Sequence, residues 1–489
     1  MSVAIVGAGP SGLASGKACI EAGLKPTIFE KSSGLGGIWN IEHGSTWESM
    51  RTNLSKYSCM FSDFPWNKDS DDFPLCTDVS KYLNAYAKHF SLDTCILYNT
   101  EVTRVNRDSA KNKWSINAKI ADREAVEELF DYVIIGSGFF VESKIPQGLS
   151  EFSGTLTLSQ KYRNPNNLKG KVVAIIGGAF SGSEIAADVA TVATKVIHIK
   201  ERNFWILGRY LENESKTKQI PLDLVFYKRR QKSAEQLPLE EINRRKHAYF
   251  QSLSNQAEVS DSLKVPTESY ATPPYVVISD GYLEAFKANR IKVINSRFTH
   301  AKGNEIFLEN GTSEKVDAVI ACSGFTSKLP FFSPDILTSL NYDEADQFQP
   351  FLLHKNMYHP KLPNVAFVGM YRGPFFGVIE LQARWAALSF AKPGEYYPTE
   401  EEQYKGIAEE QAIKQDNPRP QFPHGDYVEL VDAIAKRIGV YPESYFNKDQ
   451  QHAISLGPVI PSHFRLEGPY SNASVATDII KECNEKFPN

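Results

Sequence analysis

The sequence predicts an α/β protein in which two nucleotide-binding units are nested in one chain. A glycine-turn pattern that occurs twice, and a set of later strand–glycine turns, predict it. The first copy, VAIVGAGPSGLASGKACIEAGLKPTIFEK over 3–31, reads as a buried strand, a glycine turn, an alanine-rich helix and a second strand ending on Glu30. Gly7, Gly9 and Gly12 each have a mechanical reason to be there: a tight turn, close approach of backbone to a pyrophosphate, and close packing of helix on strand. Pro10 and Ser11 open the helix, whose first N–H groups would face that pyrophosphate. Glu30, followed by Lys31, stands 23 residues after Gly7, where a carboxylate can accept from both ribose hydroxyls.

The second copy is VVAIIGGAFSGSEIAADVATVATKVIHIKER, with Gly177, Ala179 and Gly182 at the three turn positions and Ser181 inside the helix start. Lys200 lies 23 residues after Gly177, repeating the first offset. A strand-end carboxylate favours a free ribose hydroxyl, whereas a cation accommodates a 2′-phosphate. Glu30 therefore marks the first copy as the FAD site, and Lys200 with Arg202 marks the second as the NADPH site. Glu201 between them leaves a plain solvated strand end as the alternative. The expected architecture is α/β, Rossmann-like in each unit and glutathione-reductase-like in the nesting. Residues 1–166 and 326–489 would form the FAD domain with a C-terminal extension, and 167–325 the NADPH domain.

Elsewhere the chain supplies connecting pieces. Gly37, Ile38 and Trp39 sit in a glycine- and aromatic-rich loop, and Arg51, Thr52 and Asn53 in another, segments suited to drape over a cofactor. Residues 78–90 have helical spacing behind a possible Asp78 cap. Strand-like pieces cover 96–105 (with Val102), 113–118 and 132–136, the last leading into a turn at Ser137 and Gly138. Residues 205–285 break the rhythm with a charged helical stretch and a loop rich in Pro, Tyr and Ser, an insertion whose charge run reads as a solvated face or an active-site cap. A hairpin from Lys292 to Asn310 precedes VDAVIACSGF, a buried strand ending at Ser323, Gly324 and Phe325. LPNVAFVGM returns to the first unit, followed by a helix carrying Glu380 and Gln382. Residues 395–489 read as loop-rich. Phe61, Phe64 and Trp66 are candidates for a substrate wall, with ordinary packing the simpler reading.

Composition excludes several classes. A charged content of 23% and a formal net charge of −4 give no footprint for nucleic acid. The six cysteines show neither C-x-x-C nor a metal-ligand spacing, which suits a reducing, cytoplasmic setting and removes the redox pair of a disulfide reductase. The first core strand begins at Val3, leaving no room for a signal peptide, and no run suggests a membrane span.

The two turns, the GGIW loop at Gly36–Trp39, SMRTNLSK with Asn53, the strand-end turns GSG and CSGF, and ELQAR at Glu380–Arg384 together resemble the flavin-containing monooxygenase family of class B flavoprotein monooxygenases. The family fingerprint F-x-G-x-x-x-H-S-x-x-Y/F falls on FSGTLTLSQKY, with Phe152, Gly154, Ser159 and Tyr162 matching and Leu158 in the histidine position. In Baeyer–Villiger enzymes the fingerprint ends in tryptophan rather than Tyr162, so that role is less favoured. The resemblance implies an NADPH- and dioxygen-dependent enzyme that oxygenates a soft nitrogen or sulfur of a small amine or thioether through a C4a-(hydro)peroxyflavin. It implies Asn53 as the catalytic amide beside the flavin, and a homodimer is common in the family. An FAD-dependent NADPH oxidase or reductase, and a flavin-binding protein without turnover, are the alternatives.

Overall fold

The computed structural model describes residues 1–489 except 121–125, 213–217, 230–236, 255, 257–259, 374, 425, 446–453 and 489. Two five-stranded sheets carry the molecule. In the first, Ser2–Val6 is flanked by Lys25–Phe29 and Tyr132–Ile135, with Ile96–Leu97 and Val365–Phe367 outside them. Every pairing is parallel, and Val6 lies beside both Phe29 and Ile135. The strands are near-continuous apolar runs because both faces are covered: Val3 and Ile5 face helices Pro10–Glu21 and Phe376–Ala391, while Ala4 and Val6 face Val105, Trp114 and Ile116 of an antiparallel sheet. Helix Pro10–Glu21 packs beside helix Phe376–Ala391, in which every residue from Phe376 to Phe390 is buried.

The second sheet repeats this plan. Val172–Ile176 lies between Lys195–Lys200 and Ala318–Ala321, with Ile291–Asn295 and Thr155–Leu158 at the edges, again all parallel. Thr155–Leu158 joins this sheet although it precedes residue 166. Three-stranded antiparallel sheets (Thr100–Asp108, Lys113–Ile120, Val126–Phe130; and Phe298–Lys302, Glu305–Leu308, Ser313–Lys315) flank the two units.

Three sequence expectations change, and one, the helix in the charged stretch of the insertion, holds. The helix expected behind Asp78 begins earlier, at Cys76–His89, with Leu75 as its N-cap and Asp78 in its first turn. The hairpin expected from Lys292 splits: Ile291–Asn295 is a parallel edge strand, and only Phe298–Lys302 and Glu305–Leu308 form the hairpin, turning at Gly303. The charged stretch of the insertion holds helix Leu239–Leu253, anchored by buried Asn243 and His247; 230–236 lie outside the described residues. The final hundred residues are helical rather than loop-rich. Glu400–Gln415 starts at a reciprocal Thr399–Glu402 capping box, the signature that marks it in the sequence. Helices Tyr427–Arg437 and Ala473–Lys486 follow, and the last docks on the Asn53 loop through Tyr57 Oη to Glu482 (2.9 Å).

Candidate functional site

The carboxyl ends of both sheets open on one cavity of about 2060 Å³, the crevice where such folds bind ligands. At the first turn Gly7 has φ +99°, and a methyl group there would meet the Gly136 carbonyl at 2.8 Å. A methyl group on Gly12 would lie 1.8 Å from the Gly7 carbonyl, so Gly12 serves helix–strand packing and does not line the cavity. Gly9 is the extended N-cap and caps nothing with a side chain, which leaves the helix N–H groups for an anion. Glu30 is buried; its Oε2 accepts from Ala8 N–H and its Oε1 from Ser32 N–H, both at 2.8 Å. Those bonds fix the carboxylate at the cavity wall, beside the exposed Lys31.

The second turn has the same mechanics. Gly177 has φ +125°, and a methyl on Gly182 would sit 2.0 Å from the Gly177 carbonyl. Ala179 is exposed with φ −121° and ψ −169°, extended backbone that any residue adopts, so its methyl group is accommodated. At the strand end the two cations differ. Lys200 is buried, donates to Asn203 Oδ1 at 2.6 Å, and is pulled down to about pKa 7 by burial. Arg202 is exposed and lies over the Tyr275 ring, 5.0 Å from its centroid. Glu201 turns to Arg297 at 3.3 Å.

His198, on the same strand, is fully buried. Its Nε2 faces the Gly177 carbonyl at 2.9 Å, and a carbonyl only accepts, so Nε2 carries the proton and Nδ1 accepts from Tyr282 Oη. Burial, with Lys200 nearby, pushes this imidazole down to about pKa 4, and the ring orients the turn as a neutral group.

Asn53 lines the cavity next to Thr52, whose hydroxyl is buried without a partner among the described residues. Arg209 sets this corner. Its guanidinium donates to the Thr52 carbonyl (2.9 Å), Asn53 Oδ1 (3.4 Å), Glu184 (2.7 Å) and Asp280 (2.8 Å). With Oδ1 engaged, the amide NH₂ of Asn53 is the group left for the cavity. Behind the loop, fully buried Asp223 accepts from Ser55 N–H (3.0 Å), Ser55 Oγ (2.7 Å) and Ser58 Oγ (2.6 Å). Burial raises its carboxyl above the usual range. Neither Arg209 nor Asp223 stood out in the sequence, because their partners are far away along the chain.

Of the remaining expected residues, Pro10, Ser11, Gly37, Ile38, Trp39, Arg51, Val102, Ser137, Gly138, Ser181, Ser323, Gly324 and Phe325 line the same cavity. Glu380 and Gln382 do not. Glu380 accepts from Ser62 N–H (2.7 Å) and from Arg465 (3.1 Å), inside a buried network in which Lys17 and Arg465 also meet Glu21 and Asp63. Gln382 accepts from Gly369 N–H at 2.9 Å. Their helix sends Phe376 and Ile379 to the cavity instead, one helical face away. Leu158 pairs with Ala321 in the sheet, and its neighbours Ser159 and Gln160 are the lining residues. Phe61 packs against Tyr86 and Phe376, and neither it nor Phe64 nor Trp66 reaches the cavity.

The profile of a family described as flavin-binding monooxygenase-like matches residues 1–486. The chain belongs to that family. Dimethylaniline monooxygenase (N-oxide-forming) 2 of Cavia porcellus is 29% identical over 96% of this chain and 89% of its own. Flavin-containing monooxygenase 5 of Homo sapiens is 27% identical over the same shares. Among solved structures, S-allyl-L-cysteine S-oxygenase from Allium sativum superposes over 99% of each chain with a TM-score of 0.65 at 21% identity. An ε-caprolactone-bound cyclohexanone monooxygenase superposes over 89% of this chain and 97% of its own with a TM-score of 0.68 at 15% identity. These two show the fold.

The protein is an FAD-dependent monooxygenase that takes electrons from NADPH and oxygen from dioxygen for a small-molecule substrate. Two uncapped helix N-termini, the methyl-free cradles at Gly7 and Gly9, and the unpartnered Thr52 hydroxyl fit dinucleotides in the cavity. Among the described residues no helix is long and apolar enough to cross a membrane.

Proposed function

We propose that this monooxygenase oxygenates an uncharged, soft nitrogen or sulfur centre, acting as an amine N-oxygenase or thioether S-oxygenase. The observation that carries the reading is the aromatic part of the cavity lining, where Tyr227, Phe375 and Tyr427 pack on one another and Phe226, Tyr249 and Phe250 form a second group. Such a lining offers apolar rings to an amine or thioether. The Cavia porcellus relative, named for forming an N-oxide, supports the same chemistry.

Bound FAD, reduced by NADPH, supplies the activation of dioxygen and the transfer of one of its atoms. The chain supplies position. Gly7–Ser11 and Gly177–Ser181 hold the two pyrophosphates, Glu30 the flavin nucleotide's ribose, and Lys200 with Arg202 the 2′-phosphate. The Asn53 NH₂ donates to the reacting oxygen or to the nicotinamide carboxamide, and Arg209 fixes which end of that amide is the donor. Half-buried Tyr227 and buried Tyr427 would limit water near the reacting oxygen, which favours transfer over release as peroxide. No acid–base pair is required, because a soft nucleophile takes oxygen without first losing a proton. The reading extends to a cytoplasmic setting, in keeping with six cysteines that are all free, and, by family resemblance, to a homodimer.

The test is product analysis with a tertiary aryl amine, a dialkyl thioether and a cyclic ketone, each with NADPH. An N-oxide or sulfoxide stoichiometric with NADPH is expected; a lactone from the ketone alone would replace this reading with ester-forming chemistry.

A further inference from the structure

The cavity wall carries a cation that the dinucleotide pattern does not predict. Arg372 follows the first sheet's last strand, Val365–Phe367, and belongs to neither glycine-turn unit. Its guanidinium lies over Phe348 (4.5 Å to the centroid) and Phe422 (6.0 Å), and Nη1 donates to the Gln347 carbonyl at 3.2 Å. Its Nε is buried with no partner, and among the described residues no carboxylate pairs with it. The neighbouring Arg419 differs, its charge being met by Asp346 at 2.8 Å.

Arg372 looks across to the second unit. Burial, with Arg202 nearby, leaves the guanidinium below the usual arginine range, and Tyr275 acts in the opposite direction. Phe422, beneath it, packs on Phe180 at 5.9 Å, and Phe180 is the first residue of the uncapped ten-residue helix Phe180–Val189. Arg372 and a helix N-terminus thus converge on one stretch of cavity. Both are positive, and neither has a counter-ion among the described residues. A partly buried charge without a partner is costly, so an anion is the group this place is built to take.

We propose that Arg372 binds the pyrophosphate of the nicotinamide nucleotide opposite the N-terminus of helix Phe180–Val189, so that nucleotide binding ties the first unit to the second. Arg202, with Lys200, then serves the 2′-phosphate and not the pyrophosphate. The inference rests on nicotinamide-nucleotide use and is independent of the substrate's class.

The test is equilibrium titration of the oxidised, FAD-loaded protein with NADP⁺ and with NAD⁺, followed by flavin absorbance and calorimetry, with no turnover. Arg372→Gln should raise both dissociation constants by a similar factor, about 10- to 100-fold for a lost charge-assisted contact, with FAD content and Tm unchanged. Arg202→Gln should weaken NADP⁺ only. Arg372→Lys, which keeps the charge and loses the planar fork, should fall between wild type and Arg372→Gln and decides the matter if the glutamine variant does not fold. Unchanged binding of both nucleotides, or weakening of NADP⁺ alone, would overturn the proposal. Loss of FAD with intact nucleotide binding would assign Arg372 to the flavin's phosphates and overturn it equally.

Discussion

Replacing Arg209 by alanine should cost both stability and coupling, and the two effects can be separated. The side chain is 5% exposed and meets Glu184 (16% exposed) and Asp280 (55% exposed). Asp280 is mostly hydrated, so its pair contributes at most about 1 kcal/mol. The Thr52 carbonyl bond contributes about 1 kcal/mol. Glu184 is the expensive partner, because removing the cation strands a largely buried carboxylate; taking the low end for a site that also lines the cavity gives about 2–3 kcal/mol. Arg209→Ala should therefore unfold in urea with a loss of about 3–5 kcal/mol, and adding Glu184→Gln should restore about half. The same variant frees the Asn53 amide, so a larger share of oxidised NADPH should end as hydrogen peroxide, and Glu184→Gln should not reverse that share. A loss under about 1 kcal/mol would show that Arg209 does not tie the units together. Unchanged peroxide release would show that it does not position Asn53.

Other outcomes follow from the same geometry. A 2′-phosphate beside Lys200 should draw a proton onto an amine held near pKa 7, so NADP⁺ affinity should weaken as pH rises through about 7. Calorimetry at pH 8 in buffers of different ionisation enthalpy should then show proton uptake, absent in Lys200→Arg; equal heats in both proteins would refute the role. His198 stays neutral when folded down to about pH 4 but protonates near 6.5 when unfolded, so stability present above about 6.5 is lost as pH falls toward 4. The loss should amount to about 3 kcal/mol, and an unchanged acid-unfolding curve in His198→Gln would contradict it. Gly12→Ala places a methyl 1.8 Å from the Gly7 carbonyl and should yield protein that cannot retain FAD; recovery of a fully yellow variant would sink the packing role of this glycine.

The two turns were legible because their glycines answer to backbone: no side chain fits between Gly12 and Gly7, or between Gly182 and Gly177, and that leaves a fixed spacing in the sequence. Glu30 and Arg202 were legible for a related reason, since strand ends deliver the next residues to the cavity mouth. Arg209, Asp223 and Arg372 were not, because each acts on partners from distant segments with no common period. Glu380 misled for the opposite reason. Its neighbour Ile379 reaches the cavity, but a turn of about 100° per residue carries Glu380 away from it, into the network with Arg465. Lys200 was read as a plain cation, and its burial, invisible in sequence, makes its charge conditional on pH. The helix at Glu400–Gln415 could have been found from Thr399 and Glu402, whose three-residue spacing is a capping box.

The central claim is that this chain passes one atom of dioxygen to a soft nucleophile at the cost of one NADPH. The most direct measurement is oxygenation under isotopically heavy dioxygen, with NADPH oxidation, peroxide and product quantified in the same vessel. The account predicts a heavy-labelled N-oxide or sulfoxide equal in amount to the NADPH consumed, with little peroxide. NADPH oxidation that ends wholly in hydrogen peroxide, or a product whose oxygen comes from water, would contradict it.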